Sequence, residues 1–161
     1  MISRFDRTDD RKLVCSTAHS FSDATNALGP LDKHFVAMLV CDASMSKVSD
    51  ISSLARQLIN AGCSYFCCWG ADCERVHDIF DEECVGDGSC DVSDDTIMTT
   101  WHSSDTIEEF IAFSLLCTNP TKSYRATTNT TVAIVIDDQT SAHRIQLALD
   151  NPTKFLAEYN N

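Results

Sequence analysis

Phe35-Val36-Ala37-Met38-Leu39-Val40-Cys41 is the stretch that decides the fold. It is a near-continuous apolar run of strand length, and it lacks the alternation of a strand with one wet face. Such a run is expected where a strand is covered on both sides, as in a parallel sheet between helical layers. Immediately downstream the period changes. Ile51, Leu54, Ala55, Leu58 and Ile59 follow the i, i+3, i+4, i+7, i+8 spacing of an amphipathic helix, with Asp50 as its expected cap and Gly62 as its C-terminal stop.

The alternation of strand and helix then repeats. Ser64–Trp69 reads as a second strand, and Asp72 is placed to cap a helix with Cys73, Val76, Ile79 and Phe80 on one face. Gly86-Asp87-Gly88 breaks that helix and opens an acidic loop to Asp95. Thr96–Trp101 reads as a third strand, and Asp105 with Glu108 as a capping-box-like start for a helix burying Ile107, Phe110, Ile111 and Leu115. Asn119-Pro120 ends it. Thr131–Ile136 reads as the fourth strand, and the C-terminal segment 140–159 as helix interrupted at Asn151-Pro152. Repeated strand–helix units build a parallel sheet. The expected architecture is a three-layer α/β domain, flavodoxin-like or Rossmann-like, with a mostly parallel sheet of about four strands. Counted from Phe35, the order 2-1-3-4 is expected, which opens a ligand crevice between strands 1 and 3. Residues 34–161 form this domain. Residues 1–33 read as a partly irregular N-terminal extension with one short strand near Leu13-Val14-Cys15.

Charge narrows the partners. The chain of 161 residues carries a net charge of −12, and no Lys or Arg occurs between Arg75 and Lys122. Nucleic acid and anionic membrane are therefore disfavoured, since both need cations on the protein. The acidic stretch reads first as a solvated face that aids solubility, and otherwise as a cation site or a face for a basic partner. No run approaches the ~20 apolar residues of a membrane span. The opening residues Met1-Ile2-Ser3-Arg4-Phe5-Asp6 have no signal-like apolar stretch, so a cytoplasmic protein is expected. Nine cysteines are many, but the number is odd and several lie in apolar runs, which favours reduced thiols over a disulfide framework.

Two words draw attention to a site: Trp69-Gly70-Ala71-Asp72-Cys73 and Thr99-Thr100-Trp101-His102. Each closes a strand just before a helix, where open α/β sheets bind ligands. The sharpest chemical reading is a catalytic pair, with Cys73 at a helix start as nucleophile, His102 as base and Asp42 orienting the histidine. Beside it stands a structural reading, with Asp72 as N-cap, Cys73 as a packed thiol and His102 as a turn residue. Trp69 and Trp101 either finish the core or wall an apolar pocket for a ligand whose polar end meets Asp72, Thr100 and His102, at the edge that Asp42 and Gly70 help to form. Cys73, Cys84, Cys90 and His102 could in principle ligate zinc, but their spacing departs from paired C-x₂₋₄-C. The loop Asp87–Asp95 lacks the order of an EF-hand, and no glycine-rich phosphate cradle follows strand 1. Neither a metal nor a cofactor is expected.

The stretch Ala55 to Ile136 resembles a family of small uncharacterised bacterial α/β domains of unknown function. The matching words are Ala55-Arg56-Gln57-Leu58, Gly62-Cys63-Ser64-Tyr65, Trp69–Cys73, Asp94–His102 and Asn129-Thr130-Thr131-Val132. The resemblance implies the fold and singles out the two words, but brings no activity with it. Three functions remain open on the sequence: a module binding a small ligand or a protein partner at the C-terminal sheet edge, a Cys/His-dependent hydrolase or transferase, and a non-catalytic domain with an acidic interaction face.

Overall fold

The computed structural model describes residues 11–26, 28–86 and 95–161. Five parallel strands form one sheet: β1 (Lys12–Ala18), β2 (His34–Val40), β3 (Cys63–Trp69), β4 (Met98–His102) and β5 (Thr128–Ile136). The helices are α1 (Phe21–Asn26), α2 (Val48–Ala61), α3 (Cys73–Val85), α4 (Ile107–Leu116), α5 (Lys122–Arg125), α6 (Gln139–Asp150) and α7 (Pro152–Tyr159).

The run at Phe35–Val40 is buried along its whole length, as a strand covered on both faces must be. Its alternation divides the core. Phe35, Ala37 and Leu39 face α1, α2 and α3, together with Phe66, Cys68, Val132 and Ile134. Val36, Met38 and Val40 face α4 and α6, together with Tyr65, Cys67, Ala133 and Val135. On the first face Phe66 stacks on Phe80 with centroids 3.9 Å apart. Each such large side chain contributes about 1.5–3 kcal/mol by leaving water.

The sheet has five strands rather than four, in the order β1-β5-β2-β3-β4. The expected order 2-1-3-4 is therefore corrected, as is the crevice it implied. In that numbering the observed order is 4-1-2-3, with the N-terminal strand beyond strand 4. The physical reason is that α2 and α3 pack side by side on one face, which lays β2, β3 and β4 down in sequence. The chain then returns across the other face, and β5 is inserted between β1 and β2. Residues 12–26 thus belong to the sheet and core, with Phe21 and Ala24 of α1 buried, rather than to an irregular extension.

Helix starts differ from expectation in detail. Helix α2 begins at Val48 after Lys47, so Asp50 lies inside its first turn. Asp72 precedes α3 but its side chain caps nothing; its φ is 61° and its carboxylate takes Arg75 instead. The capping box of α4 is Thr106 with Glu109, one residue later than Asp105 with Glu108. Gly62 ends α2 at φ 106°, and its missing β-carbon would meet the Lys33 carbonyl oxygen at 2.1 Å.

Candidate functional site

The helices on opposite faces part at the C-terminal ends of β5 and β2. The helix that follows β2 lies on the first face, and the one that follows β5 lies on the second. At such a reversal the loops diverge and leave a crevice. Here it is a cleft of about 600 Å³.

Three loops shape it from backbone upward. Cys41 donates its N–H to Trp69 O at 3.1 Å, and Ala43 donates to Ala71 O at 2.9 Å, so the segments after β2 and β3 run in contact. Only glycine permits this at position 70: φ is 118° and a β-carbon would stand 2.0 Å from the Cys41 carbonyl oxygen. Arg75 clasps the same loops, reaching Asp72 Oδ2 at 2.6 Å, Ser46 O at 3.2 Å and Ala43 O. From the far side, the Asp137 N–H donates to Ala18 O at 2.8 Å, tying the end of β5 to the end of β1.

The cleft has an apolar wall, made by Phe21, Met45, Trp69 and Ile136, and an acidic rim. Asp42, Asp50, Asp137 and Asp138 line it against one lysine, Lys47, with His19 at its edge. The Ser44 hydroxyl and then the Ser44 N–H at 2.9 Å donate to Asp42, and together they hold its carboxyl below the usual range. Asp138 spends its carboxylate on the start of α6, accepting from Ser141 N at 2.9 Å and Ser141 Oγ at 2.5 Å. Asp42, Trp69 and Gly70, named from sequence, line this cleft. Asp72, Cys73, Thr100, Trp101 and His102 do not. The residues that sequence reasoning missed follow the ends of β1 and β5: His19 and Phe21 after β1, and Asp137 and Asp138 after β5. Asp137-Asp138 directly follow the apolar run Val132–Ile136 that ends β5, as Asp42 follows the run that forms β2.

The two tryptophan words do lie on one rim, because Cys68 pairs with Trp101 and Trp69 with His102 in the β3–β4 ladder. Their indoles part company by the pleat. Trp69 points to the α4 face and donates Nε1–H to Asp105 O at 2.8 Å. Trp101 points to the α3 face, where its ring meets His77 at 4.5 Å.

The same alternation separates Cys73 from the His102 imidazole. The ring lies on the α4 face, 5.1 Å from Phe110 and 4.4 Å from Phe113 by centroids. Its Nδ1 lies 2.6 Å from Asp105 Oδ2 and its Nε2 3.1 Å from the Thr100 hydroxyl, so both ring nitrogens are engaged. Cys73 is fully buried on the other face. What His102 offers it is a backbone N–H. That donor, the Cys68 thiol and the amides of the turn hold the Cys73 thiol below its ordinary range, the Cys68 contact being the largest cause. Asp42 orients no histidine. Of the four zinc candidates, Cys90 lies outside the described residues. Among those described, no three His, Cys, Asp or Glu side chains gather around one point.

A three-layer α/β domain with a parallel sheet and a rim cleft is thus the class of protein this chain is. Over residues 14–152 it matches the family described as Domain of unknown function (DUF7684), and it belongs to that family. No curated protein and no solved structure matches it.

Proposed function

We propose that the chain is a binding module whose rim cleft holds a small organic cation. The carrying observation is the cleft itself. Its volume falls in the range of small-molecule sites, at the position where open α/β sheets bind ligands. The occupant's charge follows from the lining. Asp42, Asp50 and Asp137 outnumber Lys47, while Trp69 and Phe21 offer apolar and aromatic surface to the body of a ligand. An ammonium or guanidinium group joined to a short hydrocarbon satisfies both. Binding is favoured over Cys-dependent catalysis because the imidazole of His102 is turned away from Cys73 and both of its nitrogens are engaged. Among the described residues no helix is long and apolar enough to cross a membrane. The described cysteines carry free thiols, which suits a reducing compartment, and we place the chain in the cytoplasm.

The test is melting temperature and tryptophan emission with spermidine, arginine and choline, set against ATP and citrate. A cation should raise the melting temperature in a concentration-dependent way. The rise should vanish in Asp42→Asn/Asp137→Asn, where asparagine tolerates the φ of 53° at position 137. Stabilisation by the anions, with none by any cation, would overturn the reading.

A further inference from the structure

Away from the cleft, the sheet ends on β4, and no described strand pairs with its outer side. An unpaired edge presents a row of free N–H and C=O groups, which proteins usually guard with lysine, proline or a bulge. Met98-Thr99-Thr100-Trp101-His102 has none of these, and its Met98 and Trp101 are 40% and 44% exposed. The opposite edge is different, since β1 opens with Lys12 directly after Arg11.

The stretch of chain that carries β4 is acidic, and carboxylates stand beside the strand on its α3 side. Thr99 and Trp101 face α3, where Asp81 accepts from the Thr99 hydroxyl at 2.7 Å and Asp78 lies 3.1 Å from His77 Nδ1. Both carboxylates reach solvent, with side chains 65% exposed at Asp78 and 46% at Asp81. No Lys or Arg occurs from Val76 to Thr121, the length of chain that contains β4 and most of both flanking helices. Met98 and Thr100 face the other way and are uncharged.

We propose that the open edge of β4 takes an added strand from a partner protein, one in which basic residues alternate with apolar ones. Main-chain bonds along 98–102 supply the pairing, and alternate side chains supply the choice of partner. On the α3 side the partner's Lys or Arg lies over the Trp101 ring and reaches Asp78 and Asp81. On the other side its apolar residues meet Met98. A second copy of this chain is a poorer occupant at this edge, because two β4 strands placed side by side would bring both acidic flanks together.

The probe is a fluorescein-labelled peptide, Lys-Val-Arg-Val-Lys-Val-Lys, with a Glu-for-Lys/Arg version as its counterpart. The full chain should give a saturable anisotropy rise with the basic peptide and none with the acidic one. Amide hydrogen exchange at 98–102 should slow in the complex. Asp78→Asn and Trp101→Ala, both at exposed positions, should each weaken binding by about threefold. Binding without added protection at 98–102 means a merely electrostatic surface and overturns the proposal. So do equal binding of the two peptides, no binding of the basic one, or self-association of the chain that itself protects 98–102.

Discussion

At Gly70 a left-handed φ of 118° coincides with a β-carbon position only 2.0 Å from the Cys41 carbonyl oxygen. The atom in the way is backbone, in a segment pinned on either side by Cys41 N–H to Trp69 O and Ala43 N–H to Ala71 O, so it cannot swing aside. Gly70→Ala should cost about 3 kcal/mol or more, combining dihedral strain with the clash. Urea unfolding followed by circular dichroism measures it, and a midpoint within error of the wild type would refute the account. Cys73 shows a second residue-level conflict. Its sulfur is surrounded by donors that stabilise a thiolate, yet it has no exposed surface. Reactivity needs access as well as ionisation. Native Cys73 should therefore resist iodoacetamide at pH 8 and react fully in 8 M urea, as peptide mass spectrometry reports. Fast native alkylation would restore it as a candidate nucleophile.

Among the elements, α4 illustrates how local chemistry chooses between adjacent options. Both Asp105 with Glu108 and Thr106 with Glu109 have capping-box spacing. The chain uses the latter: Thr106 Oγ1 accepts from Glu109 N at 3.2 Å, and Glu109 Oε2 accepts from Thr106 N at 2.6 Å. Asp105 is thereby free to bind His102 Nδ1. Thr106→Ala should lose about 1 kcal/mol, and Asp105→Ala should cost stability by leaving the buried His102 ring without its acceptor. Denaturant midpoints of the two single variants and the double variant check this. Near-additive losses are expected, because the cap and the histidine bond share no atom; a strong coupling would mean that they form one unit. The elements legible in the sequence were those with apolar runs or faces long enough to give a period: β2, β3, β4, β5, α2, α3, α4 and the C-terminal helix pair α6 and α7 that breaks at Asn151-Pro152. Strand β1 was seen only as a short segment because it is an edge strand, with intermediate burial through most of its length and polar Ser16-Thr17 near its end. Helix α1 has six residues, too few for a periodic signal.

At the scale of the molecule, strand order was not legible, because it depends on which face each helix takes, and apolar faces do not name their partners. The cleft was half legible for the same reason. Asp42, Trp69 and Gly70 end strands that the pattern showed, whereas His19 and Asp137 join them only through the β1-β5-β2 neighbourhood. A parallel sheet buried on both faces also has a whole-molecule consequence for pH, since it places many thiols out of water. Burial raises Cys41, Cys67 and Cys84 to about 12 and pushes Cys63 up as well, and Cys68 is raised chiefly by its contact with Cys73. In the unfolded chain these groups ionise near ~8.5. Between about 9 and 12 the folded state therefore holds more protons than the unfolded one, and stability falls as pH rises. Cys73 works in the other direction, adding stability as pH climbs toward 9, but it is one thiol against several. The urea midpoint should thus decline steadily from pH 9 to 10.5. Cys67→Ala should soften that decline, since each fully linked thiol contributes a slope of about 1.4 kcal/mol per pH unit. A midpoint that holds level over this range, or a decline indifferent to Cys67, would mean that the buried thiols are not what couples this fold to alkaline pH.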